Sequence, residues 1–170
     1  MSNADTKKVK RMSLEVGDLA PDFSLPVLIG GVKQTFRLSE QLATRHVLLA
    51  FYPFNWDPVS AAQLSRYQAE RETLQDLGIE TVGICVESIM NTTSWEREIG
   101  PFDFPLCSDF WPHGAVAGQY GVLQESGRSA GASQRAIFAV QRNGEIVYRR
   151  IYADDQLPEL EETIEALRSQ

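Results

Sequence analysis

The chain has 170 residues, 43% of them hydrophobic and 23% charged, with a formal net charge of −7 at pH 7. That length fits one domain able to bury roughly two-thirds of its unfolded surface without disulfides or metals. The acidic balance argues against a nucleic-acid partner, because phosphate backbones select clustered Lys and Arg. No apolar run approaches the roughly 18–20 residues of a membrane span, and "MSNADTKKVKRMS" lacks the apolar core of a secretory signal, so a soluble, cytoplasmic protein with no membrane partner is expected.

Residues 1–12 read as a flexible leader carrying the basic cluster Lys7, Lys8, Lys10 and Arg11. The Ser-Asn-Ala after Met1 resembles a cloning remnant, so the leader has no weight in the fold, and residues 13–170 are taken as a single domain. "APDFSLPVLIGG" followed by "VKQTFRLSEQLA" reads as an N-terminal β-hairpin leading into a helical turn. "HVLLAFYP", residues 46–53, is a continuous apolar run, the pattern of a strand buried on both faces.

From Pro58 to Leu77 the positions Val59, Leu64, Tyr67, Leu74 and Leu77 recur at helical spacing, and Gly78 supplies the stop. "IETVGICVES" is a second buried strand, and "IMNTTSWEREIG" the helix after it. Strand, helix, strand in this order implies a right-handed crossover and parallel pairing. "FPLCSD" gives a short strand and "GAVAGQYG" a short helix. "RAIFAVQRNGEIVYRRIY" is an antiparallel hairpin around Asn143-Gly144, the pair favoured in tight turns. A last helix over 157–168 places Leu160, Ile164 and Leu167 on one face. The result is an α/β protein with a thioredoxin-like fold: a mixed central β-sheet flanked by helices, with an N-terminal hairpin extension.

Two cysteines, Cys85 and Cys107, each sit in an apolar run, where a buried reduced thiol is the ordinary finding. Neither lies in a helix-start motif that would lower its pKa. Cys107 and His113 have metal-like spacing, but two ligands fall short of the usual four. No metal or cofactor is expected.

Taken together, "GDLAPDFSLP", "LLAFYPFNWDPVSAAQL", "TVGICVES", "FPLCSDF" and "SQRAIFAVQRNGEIVY" resemble, in this order, the peroxiredoxins, the alkyl hydroperoxide reductase/thiol-specific antioxidant family, from Gly17 to about Arg168. The family's loop runs Pro, three residues, Thr or Ser, two residues, then the peroxidatic Cys; an Arg opens the closing hairpin. Carried over, these positions are Pro53, Asp57, Ser60 and Arg135, so two match and two depart. Gln63 falls where the family often has Glu and sometimes Gln. The resemblance implies a hydroperoxide as substrate, a thiol reductant, and a homodimer built through the loop or the sheet edge.

In that family a thiol in the first turn of a helix beside a guanidinium ionises, and the thiolate attacks the O–O bond to become a sulfenic acid. Ser60 stops this at its first step, since a hydroxyl is far less acidic and yields no such two-electron product. Asp57 puts a second negative charge where the family's hydroxyl would position the peroxide, and competes for Arg135. The plainer reading of "DPVS" is a helix start, Asp as N-cap and Pro at the first helical position. Trp56, with Tyr52 and Phe54, belongs either to the pocket wall and a partner surface or to the core. A Ser60 hydrolase finds no support, because no His is placed beside Ser60 and no Gly-x-Ser-x-Gly elbow is present. Ser60 has two open origins, an engineered exchange or natural divergence, and Asp57 favours the second. The reading is a peroxidase scaffold silent at Ser60, with a non-catalytic binding or regulatory protein as the alternative.

Overall fold

Alternation along the apolar runs builds a sheet with two covered faces. The structure, a computed structural model, describes residues 14–169; the expected leader, residues 1–12, lies outside them. Strands β1 (Ser24–Ile29) and β2 (Val32–Arg37) form the N-terminal hairpin, and β3 (His46–Phe51), β4 (Ile79–Cys85) and β5 (Leu106–Ser108) follow. The closing hairpin is β6 (Arg135–Val140) and β7 (Ile146–Tyr152). All seven share one sheet, ordered β2-β1-β5-β4-β3-β6-β7. β3 runs parallel to β4 and antiparallel to β6, and β4 runs parallel to β5. The N-terminal hairpin is part of this sheet, joined by the antiparallel β1–β5 pairing.

Val47, Leu49, Phe51, Val82, Ile84 and Phe138 face one side, where α1 (Leu38–Leu42) and α5 (Ala115–Gln119) pack. Leu48, Ala50, Cys85, Ile137 and Ala139 face the other, covered by α2 (Pro58–Ala69), α3 (Arg71–Asp76), α4 (Ile89–Ile99) and α6 (Leu160–Arg168). This is the mixed sheet flanked by helices that the residue pattern leads one to expect. Gly83 permits a close approach: a Cβ there would stand 2.9 Å from Leu106 and 3.4 Å from Leu64 of α2.

Two local readings change. The helix expected over Pro58–Leu77 is two helices that meet at Glu70, whose φ of −92° and ψ of 6° leave the helical region. On one straight helix Leu77 would point about 140° away from Leu64 at 100° per residue; the step lets Leu74 be buried and Arg71 reach Glu80 at 3.2 Å. The tip of the closing hairpin is also longer than a two-residue turn. Gly144 has φ +88°, Asn143 stays out of the left-handed region, and the Asn143 side chain accepts from the Glu145 N–H at 3.0 Å. An Asx turn thus takes the place of the double left-handed turn that Asn-Gly otherwise favours.

Cys85 and Cys107 are free and buried. Cys107 pairs in register with Ile84, one residue off Cys85, so the two thiols belong to opposite faces of the sheet.

Candidate functional site

The sheet topology brings distant residues to the start of α2. β3 ends at Phe51, and the loop through Pro53 and Asn55 delivers the chain to Asp57 and α2. Because β6 runs antiparallel to β3 with Ala136 opposite Phe51, its first residue, Arg135, arrives beside that loop. Arg135 also pairs with Tyr152 of β7, which places the following Asp154 within reach.

Asp57 is the N-cap of α2. One of its oxygens, Oδ2, accepts from the Ser60 backbone N–H at 2.9 Å, from the Ser60 hydroxyl at 2.7 Å and from Arg135 Nη2 at 2.9 Å. Capping and the ion pair to Arg135 therefore coexist in one carboxylate. Burial works to raise the Asp57 pKa, but the bonds from Ser60 and Arg135 and the guanidinium charge outweigh it and hold the carboxyl below its usual value.

Arg135 is fully buried and its donors are exhausted. Nη1 donates to Ser60 Oγ at 3.1 Å and to Gln63 Oε1 at 2.7 Å; Nη2 donates to Asp57 and to the Asp154 carbonyl at 2.9 Å; Nε donates to the same carbonyl at 3.2 Å. A guanidinium carries five N–H groups, and all are engaged. Gln63 in turn donates through Nε2 to the Tyr67 hydroxyl at 2.9 Å. Ser60 donates to Asp57, accepts from Arg135, and is 0% exposed. The buried face of α2 is accordingly polar in its first half, Ser60 and Gln63, and apolar beyond, Leu64 and Tyr67.

The structure thus gathers Asp57, Ser60, Gln63 and Arg135 into one network, and Pro53 is buried at the head of the same loop. Trp56 is not in it. It is 54% exposed, and its indole N–H donates to Asn91 on α4 at 3.1 Å. Its φ of +63° makes it the one non-glycine residue with positive φ among those described, a conformation that disfavours a bulky side chain.

What holds the loop there is Asn55, which sequence reading passed over. Its backbone N–H donates to Glu87 Oε2, its amide donates to Asn91 and Thr92, and its carbonyl oxygen accepts from the Tyr52 hydroxyl and the Cys85 thiol. Tyr67, four residues past Gln63, was open to discovery by helical spacing. The Asp154 carbonyl, a backbone acceptor, carries no side-chain signature. Burial pushes the Cys85 thiol up to about 11 and raises that of Cys107 as well, so neither is a ready thiolate. Among the described residues no group of three or more His, Cys, Asp and Glu is arranged to hold a metal, and no helix is long and apolar enough to cross a membrane.

Against known proteins, the model of the AhpC/TSA family matches residues 16–149. Alkyl hydroperoxide reductase E of Mycobacterium tuberculosis is 34% identical over 131 residues, 77% of this chain and 81% of that protein. Peroxiredoxin-2 of Mus musculus is 29% identical over 160 residues, 91% of this chain and 76% of that one. Among solved structures, Mycobacterium tuberculosis AhpC superposes with a TM-score of 0.81 at 21% identity over 93% of each chain, a likeness of fold.

Proposed function

This chain belongs to the AhpC/TSA family, the peroxiredoxins, whose reaction is thiol-dependent reduction of peroxides, and from that premise we propose that it is a peroxiredoxin scaffold without peroxidase activity at its family site. Ser60 stands in the peroxidatic position, Asp57 in that of the Thr or Ser, and Pro53 and Arg135 keep their family places. The observation that carries the reading is the closed circuit around Arg135. Every N–H of the Arg135 guanidinium is already bonded to Asp57, Ser60, Gln63 or Asp154, and its charge is balanced by Asp57 at 2.9 Å. A buried hydroxyl donating to that carboxylate has neither the acidity nor the access for attack.

The ligand class by family is a hydroperoxide and the reductant a thiol. A homodimer through the loop or the sheet edge and a cytoplasmic location, where free buried thiols persist, complete the reading. The test is hydroperoxide consumption with excess dithiol. The chain as it stands shows no turnover above buffer. Ser60→Cys alone restores little, because Asp57 opposes a neighbouring thiolate, and Ser60→Cys with Asp57→Thr restores at least about tenfold more, a difference of about 1.4 kcal/mol in barrier. Turnover by the unmodified chain overturns the proposal.

A further inference from the structure

A groove of roughly 360 Å³ lies at the far end of the sheet from the Arg135 network. The loop toward Asp57 leaves β3 at Phe51, whereas the groove opens near His46, the other end of that strand and about 17 Å away at roughly 3.3 Å per residue. Leu19, Ala20, Leu38 and Leu42 give it apolar walls, and Asp22 and Arg142 are its charged groups. Its lining takes nothing from the loop between β3 and α2, from β2 or from β7, so it lies outside the faces proposed above for a homodimer.

Arg142 is the charged group without a counter-ion. Asp22 is already used: its Oδ1 accepts from the Phe23 N–H at 3.0 Å and the Ser39 N–H at 2.9 Å, and its Oδ2 accepts from Arg37 Nε at 3.3 Å. Arg142 is fixed at two points, its backbone N–H donating to His46 Nδ1 at 3.1 Å and its Nη2 to the Ala43 carbonyl at 3.0 Å. Burial, aided by the Arg142 charge, holds the His46 pKa below its usual value, so at pH 7 the ring is neutral and keeps accepting. The bond to Ala43 caps the end of α1 and uses one of the five guanidinium N–H groups; among the described residues the side chain makes no other bond and no ion pair. Apolar walls ending at an unpaired guanidinium match one kind of molecule, an alkyl chain that ends in a carboxylate, whose two oxygens fit the planar fork. The chain's own leader is a poor occupant, since Lys7, Lys8, Lys10 and Arg11 repeat the charge of Arg142.

We propose that this groove binds a free alkyl carboxylate, a short fatty acid, with Arg142 as the counter-ion of its head and Leu19, Leu38 and Leu42 against its chain.

The experiment titrates the full chain with octanoate, with 1-octanol as its uncharged counterpart and with acetate as the charge without the chain. The readouts are the backbone amide resonances of Arg142 and Gly144 at the groove and of Asn55 at the loop. Octanoate shifts the first two at millimolar concentration, leaves Asn55 in place, and binds at least about tenfold more tightly than acetate, the difference expected when a few methylene groups leave water. Arg142→Gln weakens octanoate about three- to fivefold, the scale of an exposed ion pair, and leaves 1-octanol unchanged. Leu19→Ala, at an exposed position, weakens octanoate and 1-octanol alike without unfolding the chain. The proposal fails if octanoate leaves Arg142 and Gly144 unmoved, if acetate or 1-octanol binds as tightly as octanoate, or if Arg142→Gln binds octanoate as well as the parent. It fails also if sedimentation without ligand shows a second copy whose association moves those two resonances. No peroxide enters the measurement and Asn55 reports on the loop separately, so the outcome is independent of the silent-site reading.

Discussion

Replacing Asp57 by alanine removes three bonds from a single carboxylate oxygen and leaves Arg135 buried without its counter-ion. The lost N-cap is worth about 1 kcal/mol, and a charge-assisted bond to a guanidinium about 1.5–3 kcal/mol. Breaking a fully buried pair costs about 3–5 kcal/mol, but the Asp57 side chain is 25% exposed and water can enter the vacated place. The expected loss for Asp57→Ala is therefore about 2–3 kcal/mol, measured at pH 7 as a shift of the urea midpoint with unchanged m. Asp57→Asn keeps an acceptor for both Ser60 and Arg135 and loses only the charge, so it should cost about 1 kcal/mol. The pH dependence separates charge from cap. The Asp57 pKa is lower folded than unfolded, so its contribution is fully present above the unfolded value near 4 and is lost as pH falls through the folded one. The gap between the parent and Asp57→Asn must close below about pH 4. An Asp57→Ala loss under about 0.5 kcal/mol, or a gap unchanged through the acid range, refutes the account of the network.

Three further outcomes follow from other parts of the molecule. Asn55→Ala strands the Tyr52 hydroxyl, the Thr92 hydroxyl and the Cys85 thiol in the interior; at about 1–3 kcal/mol for an unsatisfied group, partly relaxed, thermal denaturation should report a loss of about 2–4 kcal/mol. In the native chain Cys85 and Cys107 should resist a disulfide-exchange reagent at pH 8, and both should react on unfolding; rapid native labelling of either contradicts their burial and raised pKa. Gly83→Ala drives a methyl to 2.9 Å from the Leu106 side chain of β5 and 3.4 Å from Leu64, an overpacking cost of about 1–3 kcal/mol seen as a lowered Tm; an unchanged Tm refutes the tight packing of Leu106 against Gly83.

The fold was legible because its signals are periodic. β3, β4 and β6 have both faces covered, and in sequence they appear as apolar runs, interrupted in β4 by Glu80 and Thr81. The site was legible in part. "DPVS" announces a capped helix whatever the fold, and the resemblance singled out Arg135, but only the β3–β6 register places residue 135 against residue 60. Asn55 escaped notice because a hub is defined by what surrounds it: its partners lie on β3's end, the loop after β4 and α4, separated by up to 37 positions. Trp56 stands apart from the network for a local reason. Its backbone lies in the left-handed region, and its indole N–H donates to Asn91 while the ring remains half exposed.

On the proposed assignment of the loop, Asp57 constrains the chemistry more than Ser60. A sulfur placed at position 60 would occupy the place of the Ser60 Oγ, where it meets one donor, Arg135 Nη1, and one carboxylate oxygen, Asp57 Oδ2. The donor favours a thiolate and the carboxylate opposes it, at comparable distances, so the net push toward ionisation is small. The incoming peroxide fares no better, since its oxygens need a donor that is not already bonded, and Nη2 is held by Asp57 and the Asp154 carbonyl. Exchanging Asp57 for threonine alters both terms together: the negative charge leaves the nucleophile's position, one Nη2 proton becomes available, and a hydroxyl remains to cap α2. That is why the double change, and not the cysteine alone, is the one expected to recover turnover.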